Sequence, residues 1–233
     1  KLTNKLGTLY IVSTPIGNLA DITYRAVEIL NTVDIIAAED TRRSRILLSN
    51  YNIRTKMISY FEHNKYHKIE IMKQKLLSGC DVAVITDAGT PAISDPAYKL
   101  VRAAINISCR VESIPGPSAV LASLVASGLP TDRFIFEGFL PPKKGRKKRI
   151  ENLINESGTI IVYDNILRLK KTIKQMLEII GDRPAVICRE LTKMHEEIIR
   201  GTLSSLLELL DNQTLKGECV LLIGKDDKNV YFE

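Results

Sequence analysis

Three loops rich in glycine, proline and small hydroxyl residues could do chemistry. They are Ser13-Thr14-Pro15-Ile16-Gly17-Asn18, Asp87-Ala88-Gly89-Thr90-Pro91-Ala92-Ile93-Ser94-Asp95-Pro96 and Pro115-Gly116-Pro117-Ser118-Ala119. Few side chains stand in the way of the main chain there, so backbone N–H and C=O groups can approach a small ligand closely. None of the three is a GxGxxG string or a P-loop, which counts against ordinary dinucleotide and nucleoside-triphosphate sites. A second set is polar and charged: Glu39-Asp40-Thr41-Arg42-Arg43, Glu62-His63-Asn64 and Arg189-Glu190-Leu191-Thr192-Lys193. Asp40 or Thr41 can cap a helix, and so can Asn64. Capping explains Glu62-His63 less well, because a carboxylate beside an imidazole is a common acid–base pair.

The third set is a basic run, Lys143-Lys144-Gly145-Arg146-Lys147-Lys148-Arg149, in which six of seven residues are cationic. Cations at a helix start oppose the macrodipole, so this choice is locally unfavourable and points to a basic arm that meets phosphates. No aromatic residue interleaves it, so base stacking is not indicated there. The formal net charge of +6 is a moderate bias in the same direction. Cys80, Cys109, Cys188 and Cys219 are far apart with no CxxC pair, which reads as four reduced core thiols. They show no ligand spacing with His63, His67 or His195, so no metal is expected.

These loops sit where strands should end. Leu9 to Ser13, Val33 to Ala38, Met57 to Tyr60, Asp81 to Thr86 and Arg110 to Ile114 read as strands. Between them, Tyr24 to Leu30, Thr41 to Asn50, His63 to Ser78 and Pro96 to Ile105 read as helices, and Pro117 to Ser127 follows as an Ala-rich helix. The nearly continuous apolar run Asp81 to Thr86 suits a buried parallel strand, and ligands of open parallel sheets lie beyond the strands' carboxyl ends. The second half repeats the alternation: strands at Phe134 to Phe139, Thr159 to Tyr163, Ala185 to Arg189, Glu196 to Arg200 and Glu218 to Ile223, and helices to about Glu156, over Leu167 to Ile180 and over Ser204 to Leu210. Such alternation predicts an α/β fold. Turn residues at Gly128-Leu129-Pro130-Thr131 place a break there, giving domains 1–128 and 129–233. No apolar run is long enough to span a membrane, and Lys1 to Lys5 leads straight into a strand without a signal peptide, so a soluble cytoplasmic enzyme is expected.

The strings Val12 to Thr23, Ala38 to Arg42, Asp87 to Pro96, Ile114 to Ala119 and Arg189 to Lys193 resemble the ribosomal RNA small-subunit methyltransferase I family, in the tetrapyrrole-methylase superfamily. The resemblance runs from about Gly7 to Gly224. It implies two α/β domains with S-adenosylmethionine in a cleft between them. It also implies a homodimer that methylates a cytidine ribose 2′-oxygen in the decoding region of small-subunit ribosomal RNA, free or in the assembled subunit. Its cofactor loops carry over onto Pro15, onto Gly89, Thr90, Pro91, Ile93, Ser94 and Asp95, and onto Pro117, Ser118 and Ala119, with Leu140 on the adenine side. Glu62 or His63 is then the preferred proton acceptor, and Glu39, Asp40, Glu190 and Lys193 are alternates, while capping and cofactor placement explain Asp87 and Asp95 better. Arg42, Arg43 and Arg189 are expected on RNA phosphates, with Lys143, Lys144, Arg146, Lys147, Lys148 and Arg149 adding reach. One string departs from the family. Where relatives read Ser-Pro-His-Arg, this chain has Asp164-Asn165-Ile166-Leu167-Arg168 and keeps only the arginine. The competing readings are a superfamily methylase of a tetrapyrrole or a protein side chain, and a non-catalytic RNA-binding module.

Overall fold

The structure, a computed structural model, describes residues 5–60, 65–213 and 215–233. The chain divides into two compact units, Lys1–Ser118 and Ala119–Glu233. In the first, five strands, β1 (Thr8–Val12), β2 (Ile35–Ala38), β3 (Met57–Ser59), β4 (Val82–Ile85) and β5 (Arg110–Ile114), form one sheet in the order β3-β2-β4-β1-β5. Every pairing in it is parallel. Parallel neighbours need crossovers, and helices α1 (Tyr24–Thr32), α2 (Thr41–Asn50), α3 (Lys65–Leu77) and α4 (Ala97–Asn106) supply them.

Both faces of this sheet are covered, which is why β2 and β4 are buried at every residue and read as continuous apolar runs. Ala26, Leu30 and Leu48 of α1 and α2 pack with Val12, Ile36 and Ile85 on one face. Ile69, Met72 and Leu76 of α3 and Leu100 of α4 pack with Leu9, Ile11 and Val84 on the other. Each fully buried side chain of this size contributes about 1.5–3 kcal/mol. Polar caps fix the helix starts: the Thr23 hydroxyl accepts Ala26 N at 3.1 Å, and Asp40 Oδ1 accepts Arg42 N at 2.8 Å.

The second unit begins with α5 (Ala119–Ser127). It continues with β6 (Phe134–Phe139), α6 (Arg146–Glu151), β7 (Thr159–Asn165), α7 (Ile166–Ile180), β8 (Pro184–Arg189), β9 (Glu197–Thr202), α8 (Leu203–Asn212) and β10 (Glu218–Ile223). Its sheet runs β6-β7-β10-β8-β9 and is mixed: β6 and β7 are parallel, the remaining pairs antiparallel. Helices α6, α7 and α8 cover one face through Ile150, Leu169, Ile173, Met176 and Leu206, while α5 covers the other through Val120 and Leu124.

The sequence reading put the break at Gly128, whereas the compact units divide ahead of α5. The reason lies in packing. Val120 and Leu124 are buried against Ile161, Val186, Val220 and Leu222 of the second sheet, so α5 belongs to that core. No described helix is long and apolar enough to cross a membrane.

Candidate functional site

The loops after β1, β4 and β5 meet because those strands are neighbours in the sheet. Thr14 and Gly89 form an antiparallel bridge: Thr14 N donates to Gly89 O at 2.9 Å, and Gly89 N returns a bond to Thr14 O at 3.0 Å. Ser13 Oγ and Thr90 Oγ1 lie 2.9 Å apart in a hydrogen bond, and Thr90 Oγ1 donates to Pro117 O at 3.1 Å. One threonine hydroxyl thus links all three loops. Gly116 must be glycine for this approach, since a Cβ there would stand 2.9 Å from Ser13 Cβ. Gly89 has a φ of +83°, which an L side chain rarely adopts.

The Asp87–Pro96 loop holds further strain. Ala92 and Ser94 sit at φ +71° and +64°, a conformation that costs about 1–3 kcal/mol per residue and persists only when the surroundings enforce it. Asp95 enforces it here: its carboxylate accepts Ala92 N at 2.9 Å and Ala97 N at 2.7 Å, tying the loop to the start of α4. Ile93 and Ser94 are exposed between these anchors, and their backbone N–H groups donate to no described residue. Fixed, exposed backbone donors and small side chains fit a polar small molecule. Of the expected cofactor residues, Gly89, Thr90, Pro91, Ile93, Ser94, Asp95, Pro117 and Ser118 come together in this cradle, while Pro15, next to the bridging Thr14, is buried. Ala119 opens α5 in the second unit. Leu140 is only 4% exposed and packs in the second core with Ile150 and Val162, so its side chain is core and only its backbone is left to meet a ligand.

Acidic side chains gather at the ends of β2 and β4. Glu39 Oε2 accepts Thr86 Oγ1 at 2.6 Å and Asp87 N at 3.4 Å, and its Oε1 accepts nothing from the described residues. Asp87 accepts Asp40 N at 3.0 Å and pairs with Arg43 at 3.2 Å. Burial pushes the Asp87 and Asp95 carboxyls above the usual aspartate value, and the charge of Glu39 adds to both. Asp40 goes the other way: the Arg42 backbone N–H holds its carboxyl low, and the Arg42 side chain helps. Asp40 is therefore a helix cap, as its sequence position allowed. Glu62 and His63 lie outside the described residues.

Glu190 and Lys193 are brought together in the second unit and engage each other. Lys193 Nζ donates to Glu190 Oε1 at 3.0 Å and to Glu218 Oε2 at 2.9 Å, while Glu218 N donates to Glu190 Oε1 at 2.8 Å. Burial alone would lower the Lys193 ammonium, but these two carboxylates outweigh it and hold it above the ordinary lysine value. The Glu218 backbone N–H and Lys193 hold Glu190 low. A lysine kept protonated is a poor proton acceptor, so the geometry gives this pair a structural task. The sign follows from linkage. A carboxyl lowered by folding stabilises the fold above its unfolded value and loses that contribution as pH falls. Glu190→Gln should therefore flatten the loss of thermal stability below pH 4.5, the ordinary glutamate value. Melting curves of both proteins across that range check it.

The cations differ from one another. Arg42 is 89% exposed in its side chain and Arg43 69%, so both are available to solvent anions despite their surface pairings. Arg189 is not: Nε and Nη2 donate to Glu197 Oε2 at 3.1 and 2.9 Å, and Nη1 donates to Lys216 O at 3.0 Å. In the basic run, Arg146 is 4% exposed and faces inward. It donates to Gln175 Oε1 at 2.7 Å, Pro141 O at 3.2 Å and Thr172 Oγ1 at 2.6 Å. Thr172 in turn donates to the buried Asp164, which also pairs with Arg168 at 3.5 Å. The expectation that Arg146 binds RNA is corrected by this burial. Arg149 pairs with Glu137, and Lys147 reaches Glu151 at 3.8 Å. Lys143, Lys144 and Lys148 are exposed with no acidic partner among the described residues. The same network accounts for the departing string: Asp164 is its buried anion, and Asn165 caps α7 by accepting Leu167 N at 2.9 Å.

Among the described residues, no group of three or more His, Cys, Asp or Glu could hold a metal ion. The family described as Tetrapyrrole (Corrin/Porphyrin) Methylases matches residues 8–207. A protein of Halalkalibacterium halodurans named ribosomal RNA small subunit methyltransferase I is 47% identical over 224 residues, which is 95% of this chain and 78% of that one. Among solved structures, a cobalt precorrin-4 methyltransferase of cobalamin biosynthesis superposes with a TM-score of 0.70 at 20% identity, covering 93% of this chain and 94% of its own. A uroporphyrin-III C-methyltransferase from Thermus thermophilus, in complex with S-adenosyl homocysteine, gives 0.67 at 17% identity, covering 94% and 98%.

Proposed function

The chain belongs to the ribosomal RNA small subunit methyltransferase I family of tetrapyrrole methylases, and from that premise we propose that it methylates the 2′-oxygen of a cytidine ribose in the decoding region of small-subunit ribosomal RNA. Membership makes it an S-adenosylmethionine-dependent methyltransferase whose substrate is small-subunit ribosomal RNA. S-adenosylmethionine supplies an electrophilic methyl group when bound. The observation that carries the reading is the three-loop cradle, joined through Thr90, at the same sheet edge as the exposed Arg42 and Arg43.

The chain's own residues have three tasks. Gly89, Thr90, Pro91, Ile93, Ser94, Asp95, Pro117 and Ser118 hold the cofactor, on a backbone that Asp95 and the Thr14–Gly89 bridge keep in shape. Holding reactants in line is the main contribution to such a displacement, and a preset backbone serves it because little order is lost on binding. Glu39 takes the hydroxyl proton on Oε1, which accepts nothing from the described residues, its other oxygen anchored by Thr86 and Asp87. Glu62 and His63, outside the described residues, are the other pair for this role. Arg42 and Arg43 receive RNA phosphates, with Lys143, Lys144 and Lys148 as the cations of the arm. The family resemblance adds a homodimer, for which the apolar Leu121 and Val125, exposed one turn apart on α5, offer surface. The cytoplasm, where small subunits are made, is the compartment of this reading.

Incubating the protein with labelled S-adenosylmethionine and unmethylated small subunits tests it. Label in the ribosomal RNA is expected. Label that enters only ribosomal proteins, no label at all, or cofactor binding that fails in a calorimeter would overturn it.

A further inference from the structure

Helix α2 carries two stripes. Ser44, Leu47 and Leu48 are buried. Arg42, Arg45, Ile46, Ser49 and Asn50 recur at i, i+3, i+4, i+7 and i+8, so they share the opposite face. Together with Leu19, this face lines a shallow, open surface groove with about 500 Å³ of accessible space. Its apolar lining is Ile46, 67% exposed, and Leu19, 37% exposed. Arg42 and Arg45 line it too, and no carboxylate does so among the described residues. Arg42 has only a surface pairing with Asp40 at 3.5 Å, and Arg45 has no acidic partner among the described residues.

The walls are tied in place. Tyr51, just past α2, donates its hydroxyl to Leu19 O at 2.7 Å, and the Asn18 side chain accepts Ala20 N at 3.1 Å, which holds the short turn Leu19–Asp21. Both walls leave the carboxyl end of the first sheet: Leu19 follows the β1 loop, and Arg42 stands in the first turn after β2 and Glu39. The groove therefore runs away from the strand ends that carry the cradle.

We propose that this groove binds a nucleotide of single-stranded RNA flanking the target, with Arg42 and Arg45 on phosphates and the base or ribose laid on Ile46 and Leu19. Two arginines beside exposed apolar side chains match a chain of phosphates with flat bases, and arginine planes can also stack on an unpaired base. The inference rests on the reading that the substrate is RNA, and it adds Arg45, Ile46 and Leu19 to the residues that recognise it.

Anisotropy titrations of a short, fluorescein-labelled single-stranded RNA across a salt series test it, with Arg45→Gln, Ile46→Ser and the exposed control Lys174→Gln. Each phosphate contact contributes about 0.7 to the slope of log affinity against log salt. Arg45→Gln should weaken binding severalfold and lower the slope by about that amount. Ile46→Ser should weaken binding severalfold at unchanged slope, and Lys174→Gln should behave as the wild type. If both groove variants bind with wild-type affinity and slope, the proposal fails and the groove is left to a protein partner. Methyl transfer by the wild type, run alongside, separates the two readings. Transfer with unaltered groove variants defeats this inference alone, whereas no transfer to RNA at all defeats the functional reading.

Discussion

Replacing Glu39 by glutamine should lower kcat for methyl transfer by about 10²-fold or more, while S-adenosylmethionine binds within a few-fold of wild type. The first number is what a positioned general base typically contributes. The second follows from what glutamine keeps. Its amide oxygen can still accept from Thr86 Oγ1, so the joint between the ends of β2 and β4 survives. Only the ability of Oε1 to take a proton is removed. A loss confined to kcat, with cofactor affinity intact, is the signature of an interaction made in the transition state. Single-turnover transfer and calorimetry measure the two parts. Near wild-type kcat in Glu39→Gln would move the proton to Glu62 or His63, and their Gln and Ala variants belong in the same assay.

Arg146→Met should cost about 3 kcal/mol of stability, the scale of stripping a buried, charged hydrogen-bonding partner from its acceptors. Methionine fills much of the volume but leaves Thr172 Oγ1, Gln175 Oε1 and Pro141 O without their donor, and it removes the positive charge that faces Asp164. Arg146→Lys should recover only part of the loss, because one ammonium cannot reproduce the planar fork that serves two acceptors on α7 and one in the loop ahead of α6. Lys143→Gln and Lys144→Gln, both exposed, should stay within about 0.5 kcal/mol of wild type. Urea unfolding supplies the energies, and hydrogen exchange over residues 141–151 and 166–180 locates them. Equal, small effects from all four variants would mean that Arg146 is one more surface cation.

Much of the fold was legible because its signals are local. The buried strand Val82–Ile85 shows as a continuous apolar run, and α2, β5, β6 and β10 fall at the bounds that their residues suggest. Differences arise where a distant partner decides. β7 continues past Tyr163 because Asp164 and Asn165 pair with Cys219 and Glu218 of β10. β9 runs on to Thr202 because Pro184 of β8 lies opposite. α6 ends at Glu151, short of the expected Glu156, in a series of hydrogen-bonded turns. The three loops could be read singly, but their union depends on β1 lying between β4 and β5, which local patterning does not encode. Arg146 was hidden in a run of like charges. Its signal was present nonetheless: Arg146, Ile150 and Leu153 recur at i, i+4 and i+7, the buried stripe of a helix and the turn that follows it. The positive φ at Glu190 and Thr192 has no counterpart in the residue pattern, since neither is a glycine.

The most direct measurement is to incubate the protein with unmethylated small ribosomal subunits and labelled S-adenosylmethionine, then digest the RNA and map the label to a nucleotide and an atom. The expected result is one ribose 2′-O-methyl group on a cytidine of the decoding region, lost in Glu39→Gln and dependent on the cofactor. Label on a base, at another region of the RNA, or absent from RNA altogether would contradict it.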